Sequence, residues 1–305
     1  MKFGKRPDIS TVDFTLPVDA SQNKALFDRL PKTPERPNLY VGCTGWSMKE
    51  WDGKVYPKAT KAKDYLKYYS EQFNTIELNT THYRIPNTAI IAKWYQESSA
   101  DFHFCPKIPQ VISHRKDLGY GSGKILAFCE AAQELKEKLG HSFMQLPPYF
   151  GPDRLPVLKH FLENFPSHIP LSIEFRQENW FNTPGSFDEV ATLLEKHNIA
   201  TVITDVAGRR DVLHQRLTSD TVVIRFVGNN LAPSDYQRID AWIQRMKIWF
   251  EKGIRRIYFF THEPDNLLAP ELADYVVKES LKHLEVITRG PDLEKYVGGD
   301  QMSLF

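Results

Sequence analysis

One pattern constrains this chain more than any other: a short apolar run ends on a polar or charged residue, a stretch with helical spacing follows, and the unit repeats. The runs lie at 39–41, 75–78, 102–105, 142–146, the start of 171–180, 200–204, 221–227 and 257–261. Helical spacing marks 61–73, 89–97, 126–139, 155–165, 190–197, 239–250 and 272–284, so that only the link between the sixth and seventh runs lacks a convincing helix. Parallel strands need a crossover connection, usually helical, so the alternation predicts an α/β fold with a parallel sheet. Eight such units are what a closed TIM-like (β/α)8 barrel requires; an open doubly wound sheet is the alternative. The barrel would span 38–289. Residues 1–37 are polar, carry Pro7, Pro17, Pro31, Pro34 and Pro37, offer only 22–30 as a short helix, and read as an N-terminal extension. Residues 290–305 turn polar and Gly-bearing and read as a flexible tail.

Strand side chains alternate faces, so in LSIEFRQENW Ile173 and Phe175 share one face while Glu174 and Arg176 share the other. A barrel collects the C-terminal ends of its strands at one mouth, and residues far apart in sequence become one site. The residues at or near these ends are Trp46, Glu77, Asn79, Tyr83, Lys107, Gln145, Glu174, Arg176, Trp180, Asp205, Arg225 and His262. Glu77, Glu174, Arg176 and Asp205 are the catalytic candidates. The two glutamates would serve as general acid and base, or would ligate a hard divalent cation such as magnesium together with Asp205. Lys107, Arg176 and Arg225 would hold phosphate, Trp46 and Tyr83 would stack on a base or sugar, and Asn79, Gln145, Trp180 and His262 complete the substrate-binding set. The structural alternative is an internal ion pair inside the barrel. Tip histidines are few, with His82, His114 and His262 the only candidates, which argues against a multi-zinc centre. No Gly-rich phosphate loop marks a nucleotide cofactor.

A formal net charge of +1 gives no global basic field, so nucleic-acid binding would have to come from a local cluster of Lys and Arg. Cys43, Cys105 and Cys129 are odd in number without metal-like spacing, which predicts reduced thiols and a cytoplasmic setting. No run approaches the roughly 20 apolar residues of a spanning helix, so no membrane partner is expected.

The motifs VGCTGW, WDGKVYP, FNTIELNTTHYRIP, QLPPYF, IEFRQENW and IRFVG, spread over about Tyr40 to Leu281, resemble the YecE-like family, catalogued as domain of unknown function 72. That resemblance implies a TIM-like barrel and, by analogy, kinship with metal-dependent AP-endonuclease-type barrels. FFTHEP stands where an Asn-rich exit is usual in the family. The final residues QMSLF resemble the short peptide by which bacterial replication and repair proteins bind the DNA sliding clamp, with Gln301, Met302, Leu304 and Phe305 matching and Gly298–Gly299 as a linker. A tether of that type raises local concentration on DNA without a basic surface.

Three functions are therefore expected to compete. The first is a DNA-associated enzyme of replication or repair, recruited by the sliding clamp and acting on a phosphodiester, a damaged sugar or a base. The second is a carbohydrate or small-metabolite enzyme using paired carboxylates. The third is a non-catalytic nucleic-acid-binding module.

Overall fold

The computed structural model describes residues 4–296. Its strands are β1 (Asn38–Gly42), β2 (Thr75–Leu78), β3 (His103–Pro106), β4 (Ser142–Gln145), β5 (Leu171–Glu174), β6 (Ala200–Asp205), β7 (Thr221–Val227) and β8 (Arg256–His262). The helices are α1 (Asn23–Arg29), α2 (Tyr65–Gln72), α3 (Thr88–Glu97), α4 (Gln110–Ser113), α5 (Lys124–Gln133), α6 (Leu155–Asn164), α7 (Asn179–Asn182), α8 (Ser186–Lys196), α9 (Pro233–Glu251) and α10 (Ala269–His283). Between β6 and β7 lies only a short 3-10 turn, Arg210–Val212, where the sequence offers no helical period.

Every ladder is parallel, in the order β1-β8-β7-β6-β5-β4 with β2-β3 as a separate pair. Two seams close the ring. At the first, the Glu77 amide donates to the Cys43 carbonyl at 3.0 Å. The Asn74 side chain supplies two more rungs there, accepting from the Val41 amide at 2.8 Å and donating to the Leu39 carbonyl at 3.0 Å. Gly42 is needed at this seam, because a Cβ there would lie 2.1 Å from the Thr75 carbonyl oxygen. At the second seam, Gly140 donates to Phe104 and Ile108 donates to Phe143, both at 2.8 Å. The result is a TIM-like barrel in strand order one to eight.

The period-2 alternation sorts the strand residues into two layers. Outward-facing Leu39, Val41, Ile76, Phe104, Ile224 and Phe259 pack with helix residues such as Tyr69, Trp242 and Leu272 in the main core. Inward-facing Cys105, Phe143, Val202, Val223, Tyr258 and Phe260 fill the barrel with an apolar plug. Beneath it, Tyr40 stacks on His103 and Tyr258 with ring centroids 4.4 and 4.6 Å apart. Two residues further along their strands, Lys107, Gln145, Arg225 and His262 follow Cys105, Phe143, Val223 and Phe260, so the polar layer sits on the plug.

The N-terminal extension is a strap on the barrel. The Gly4 carbonyl accepts from the Gly208 amide at 2.9 Å. The Phe14 ring lies 4.7 Å from the Arg238 guanidinium, and Asp19 accepts from Arg245 at 2.9 Å and from the Trp249 indole at 3.0 Å. Buried Asn23 opens α1 by donating to the Gln215 carbonyl at 2.7 Å and accepting from the Leu217 amide at 2.9 Å. Past α10, the Asp292 amide donates to Gln72 at 3.0 Å and Leu293 packs on the core, so barrel contacts continue beyond residue 289. Gln301, Met302, Leu304 and Phe305 lie outside the described residues. Among the described residues no helix is long and apolar enough to cross a membrane, and Cys43, Cys105 and Cys129 are buried free thiols.

Candidate functional site

The polar layer is one connected network. Arg225, from β7, donates to both carboxylate oxygens of Glu77, Nε to Oε2 at 2.7 Å and Nη2 to Oε1 at 2.8 Å. Its third nitrogen, Nη1, donates to Glu174 Oε2 at 2.8 Å. Arg176 Nε reaches Glu174 Oε1 at 2.7 Å, and Gln145 Nε2 reaches Glu174 Oε2 at 2.7 Å. Lys107 Nζ donates to Gln145 Oε1 at 3.1 Å, while Asn79 and His262 donate to Glu77 at 2.8 and 3.0 Å. Five strands thus contribute to a single hydrogen-bonded cluster, and buried polar groups of this kind specify geometry only when satisfied, as these are.

Burial alone would raise the Glu77 carboxyl, but Arg225 and His262 outweigh it and hold it well below the usual range. Glu174 is likewise pushed up by burial and more strongly down by Arg176 and Arg225, to about 2. Both are therefore ionised at neutral pH. Burial lowers His262 against the pull of Glu77, and facing the ionised Glu77 carboxylate its Nε2 is the donor. Burial and the neighbouring Arg225 bring Lys107 down to about 8.

Above the network opens a cleft of about 660 Å³. Its lining includes Lys107, Gln145, His82, Asn79 and His262, with Lys5 and Arg6 of the N-terminal strap as one wall. A second part of the lining follows β7. There Glu263 accepts from the Asn230 amide at 2.8 Å and the Leu231 amide at 3.2 Å. These two residues hold consecutive left-handed conformations, φ 58° each, which a non-glycine chain adopts only when its surroundings impose it. Gly228 lets the two segments meet, since a Cβ there would lie 2.3 Å from Glu263 Oε1. Burial raises the Glu263 carboxyl to about 7, against the pull of the two amides.

A family model described as "Protein of unknown function DUF72" matches residues 40–293. The chain belongs to the DUF72 family. Among its DUF72 relatives, the UPF0759 protein YecE of Escherichia coli strain K12 is 28% identical over 285 residues, 88% of this chain and 100% of that protein. The UPF0759 protein YunF of Bacillus subtilis strain 168 is 28% identical over 153 residues, 48% of this chain and 53% of that protein. Crystal structures of DUF72 proteins share the fold. One from Enterococcus faecalis V583 superposes with a TM-score of 0.64 at 20% identity, covering 83% of this chain and 98% of its own. One from Thermotoga maritima MSB8 gives 0.62 at 23% identity, covering 80% and 99%.

Within this DUF72 barrel, Glu77, Asn79, Lys107, Gln145, Glu174, Arg176, Arg225 and His262 come together, and exposed Tyr83 stands at the cleft rim. Three expected site residues lie elsewhere. Counting by two from Val202 puts Thr204, and not Asp205, on the inner face. Asp205 points outward, paired with Arg210, with Arg238 at 3.0 Å and with the Trp242 indole at 2.8 Å. Trp180 is buried beneath the loops, its indole donating to the Phe150 carbonyl at 2.7 Å. Trp46 packs edge-on against Trp94 and Phe104, at 5.5 and 6.3 Å, among the outer-layer side chains.

A cation site made of Glu77, Glu174 and Asp205 does not fit this arrangement. Asp205 is on the other face of the barrel wall and the glutamate oxygens already accept from guanidinium groups; among the described residues no three His, Cys, Asp or Glu side chains are grouped to hold a metal. Sequence reasoning left out Lys5, Arg6, Glu263 and the Asn229–Asn230 turn. Glu263 had a signal, following His262 directly at the β8 exit. The strap residues had none, because a polar, proline-bearing segment carries no periodicity that would fix its path.

Proposed function

We propose that the cleft binds a phosphate-bearing substrate, and that the protein acts in DNA metabolism on a phosphodiester, a damaged sugar or a base, with the tail recruiting it to the sliding clamp. The observation that carries this reading is the charge of the lining: Lys5, Arg6 and Lys107 face the cleft against one carboxylate, Glu263. A chain with a net charge of +1 thereby concentrates positive potential at one concave place, where low-dielectric walls strengthen attraction to an anion. Glu77 and Glu174 act as positioning residues in this reading. They hold Arg225, Arg176 and, through Gln145, Lys107 in place, and being ionised they do not supply the protonated acid that paired-carboxylate sugar hydrolysis requires.

The test is binding of nicked, flapped and abasic-analogue oligonucleotides to the full chain, to a Lys5→Ala/Arg6→Ala variant, and to a chain ending at Gly299, each with and without purified sliding clamp. The reading requires that oligonucleotide affinity fall in the strap variant, and that clamp binding vanish with the last six residues while the cleft still binds. Equal affinity for all oligonucleotides in both full-length chains would overturn the cleft reading. Clamp binding that survives the truncation would overturn the tail's role.

A further inference from the structure

We infer that Lys107 is an amine nucleophile that forms an imine with an aldehyde carrying a phosphate, such as an open-chain sugar phosphate. The inference deepens the phosphate-binding reading of the same cleft and rests on it. Lys107 follows the end of β3 and lines the cleft, with its Nζ 5.7 Å from the Phe143 ring centre, so one side of the amine is apolar and the other faces the site. Among the described residues, Arg176 and Arg225 of the same cluster each hold a carboxylate partner, whereas Lys107 makes no ion pair. Its bond goes to the Gln145 amide oxygen, and the Gln145 amide nitrogen is in turn fixed on Glu174. A lysine meant only to attract an anion needs a full charge. This one is buried and lies beside two guanidinium groups, which favours the neutral amine that reacts with carbonyls, and about half of it is neutral near pH 8.

The step balances without any redox partner. The Nζ lone pair attacks the aldehyde carbon, the C=O π electrons move to oxygen, and the proton lost from nitrogen ends on that oxygen to give a carbinolamine. The hydroxyl takes a proton from solvent in the open cleft and leaves as water while the nitrogen lone pair forms the C=N bond, giving a protonated imine that draws electrons from the adjoining carbon. Lys5 and Arg6 across the cleft would hold the phosphate. The aldehyde has two sources with the same chemistry, an abasic site in DNA or a free sugar phosphate, and the test separates them.

The full-length chain is incubated with borohydride and either an oligonucleotide carrying a natural abasic site or deoxyribose 5-phosphate, and the reduced adduct is mapped by mass spectrometry. Mapping on the unaltered chain needs no variant. Binding of an oligonucleotide with a tetrahydrofuran abasic analogue, which has no aldehyde, is measured in parallel. The expected adduct sits on Lys107, about tenfold or more above any other lysine, grows as pH rises toward 8, and disappears in Lys107→Arg. Trapping by the oligonucleotide identifies DNA as the source. Trapping by the free sugar phosphate alone keeps the Lys107 chemistry and overturns the DNA reading. Tetrahydrofuran oligonucleotide binding with no adduct in either arm, or an adduct that maps elsewhere or persists in Lys107→Arg, overturns the inference and leaves the phosphate reading standing. Neither binding nor adduct overturns both.

Discussion

Arg225 and Glu77 meet through two parallel hydrogen bonds of 2.7 and 2.8 Å at the centre of the barrel mouth, with the two side chains 1% and 0% exposed. A bidentate pair fixes both orientation and distance, so these strands, β7 and β2, are locked together across the ring without being neighbours in it. Removing one partner strands the other charge in a place that water does not reach.

Arg225→Met is therefore expected to cost about 3–5 kcal/mol of unfolding free energy. The double variant Arg225→Met/Glu77→Gln should recover part of that loss, since it no longer buries an unpaired carboxylate. Urea denaturation of the three chains checks this. An additive double variant would mean that the pair is not coupled.

Acid sensitivity follows from the same cluster. The folded-state pKa of Glu174 is depressed, so the folded state binds its proton less tightly than the unfolded chain does. Its contribution is present above the ordinary value of 4.5 and disappears as pH falls toward about 2. Melting temperatures recorded between pH 6 and pH 3 should drop steeply, and Glu174→Gln should flatten that slope while lowering stability at pH 6.

Asp205→Asn separates the outer wall from the mouth. The carboxylate compensates Arg238 and receives the Trp242 indole, so the variant should lose about 3 kcal/mol or more. Oligonucleotide affinity, measured well below the melting temperature, should stay within about twofold of the parent, because the side chain faces α9 and not the cleft. A selective loss of affinity would return Asp205 to the site.

Much of this was legible in the residues and some was not. Apolar runs located all eight strands, and parity within a run placed Glu174 and Arg176 together because both lie in one short, unambiguous stretch. Position at the tip of β6 is a poorer guide than parity: the tip singles out Asp205, whereas alternation along the strand gives the inner face to Thr204. Trp180 stood among the substrate-binding residues because tryptophan is the same residue whether it greets a ligand or fills a core; its burial and its bond to Phe150 distinguish the two. That the glutamates are neutralised by Arg225 needs distances across the barrel, which no spacing along the chain contains.

Glu263 gives the cleft a pH dependence opposite in origin to acid unfolding. Its raised carboxyl is largely neutral below about 7 and charged above, so the cleft lining loses its single negative charge as pH falls. Affinity for an oligonucleotide phosphodiester, whose own charge is constant in this range, should rise about three- to tenfold between pH 8 and pH 6. Glu263→Gln should remove part of that rise, the remainder being the charge that Lys107 regains as pH falls below about 8. Titration calorimetry across the range reads both, and an unchanged slope in the variant would remove Glu263 from the account.

The apolar plug of Phe143, Val202, Val223 and Phe260, sealed below by the Tyr40, His103 and Tyr258 rings, turns the barrel into a blind cup. A polymer cannot be threaded through it. Were the ligand a nucleic-acid strand, as proposed, it would have to offer a free end or swing a single unit out of its stack and into the cup, and leave through the same doorway by which it came.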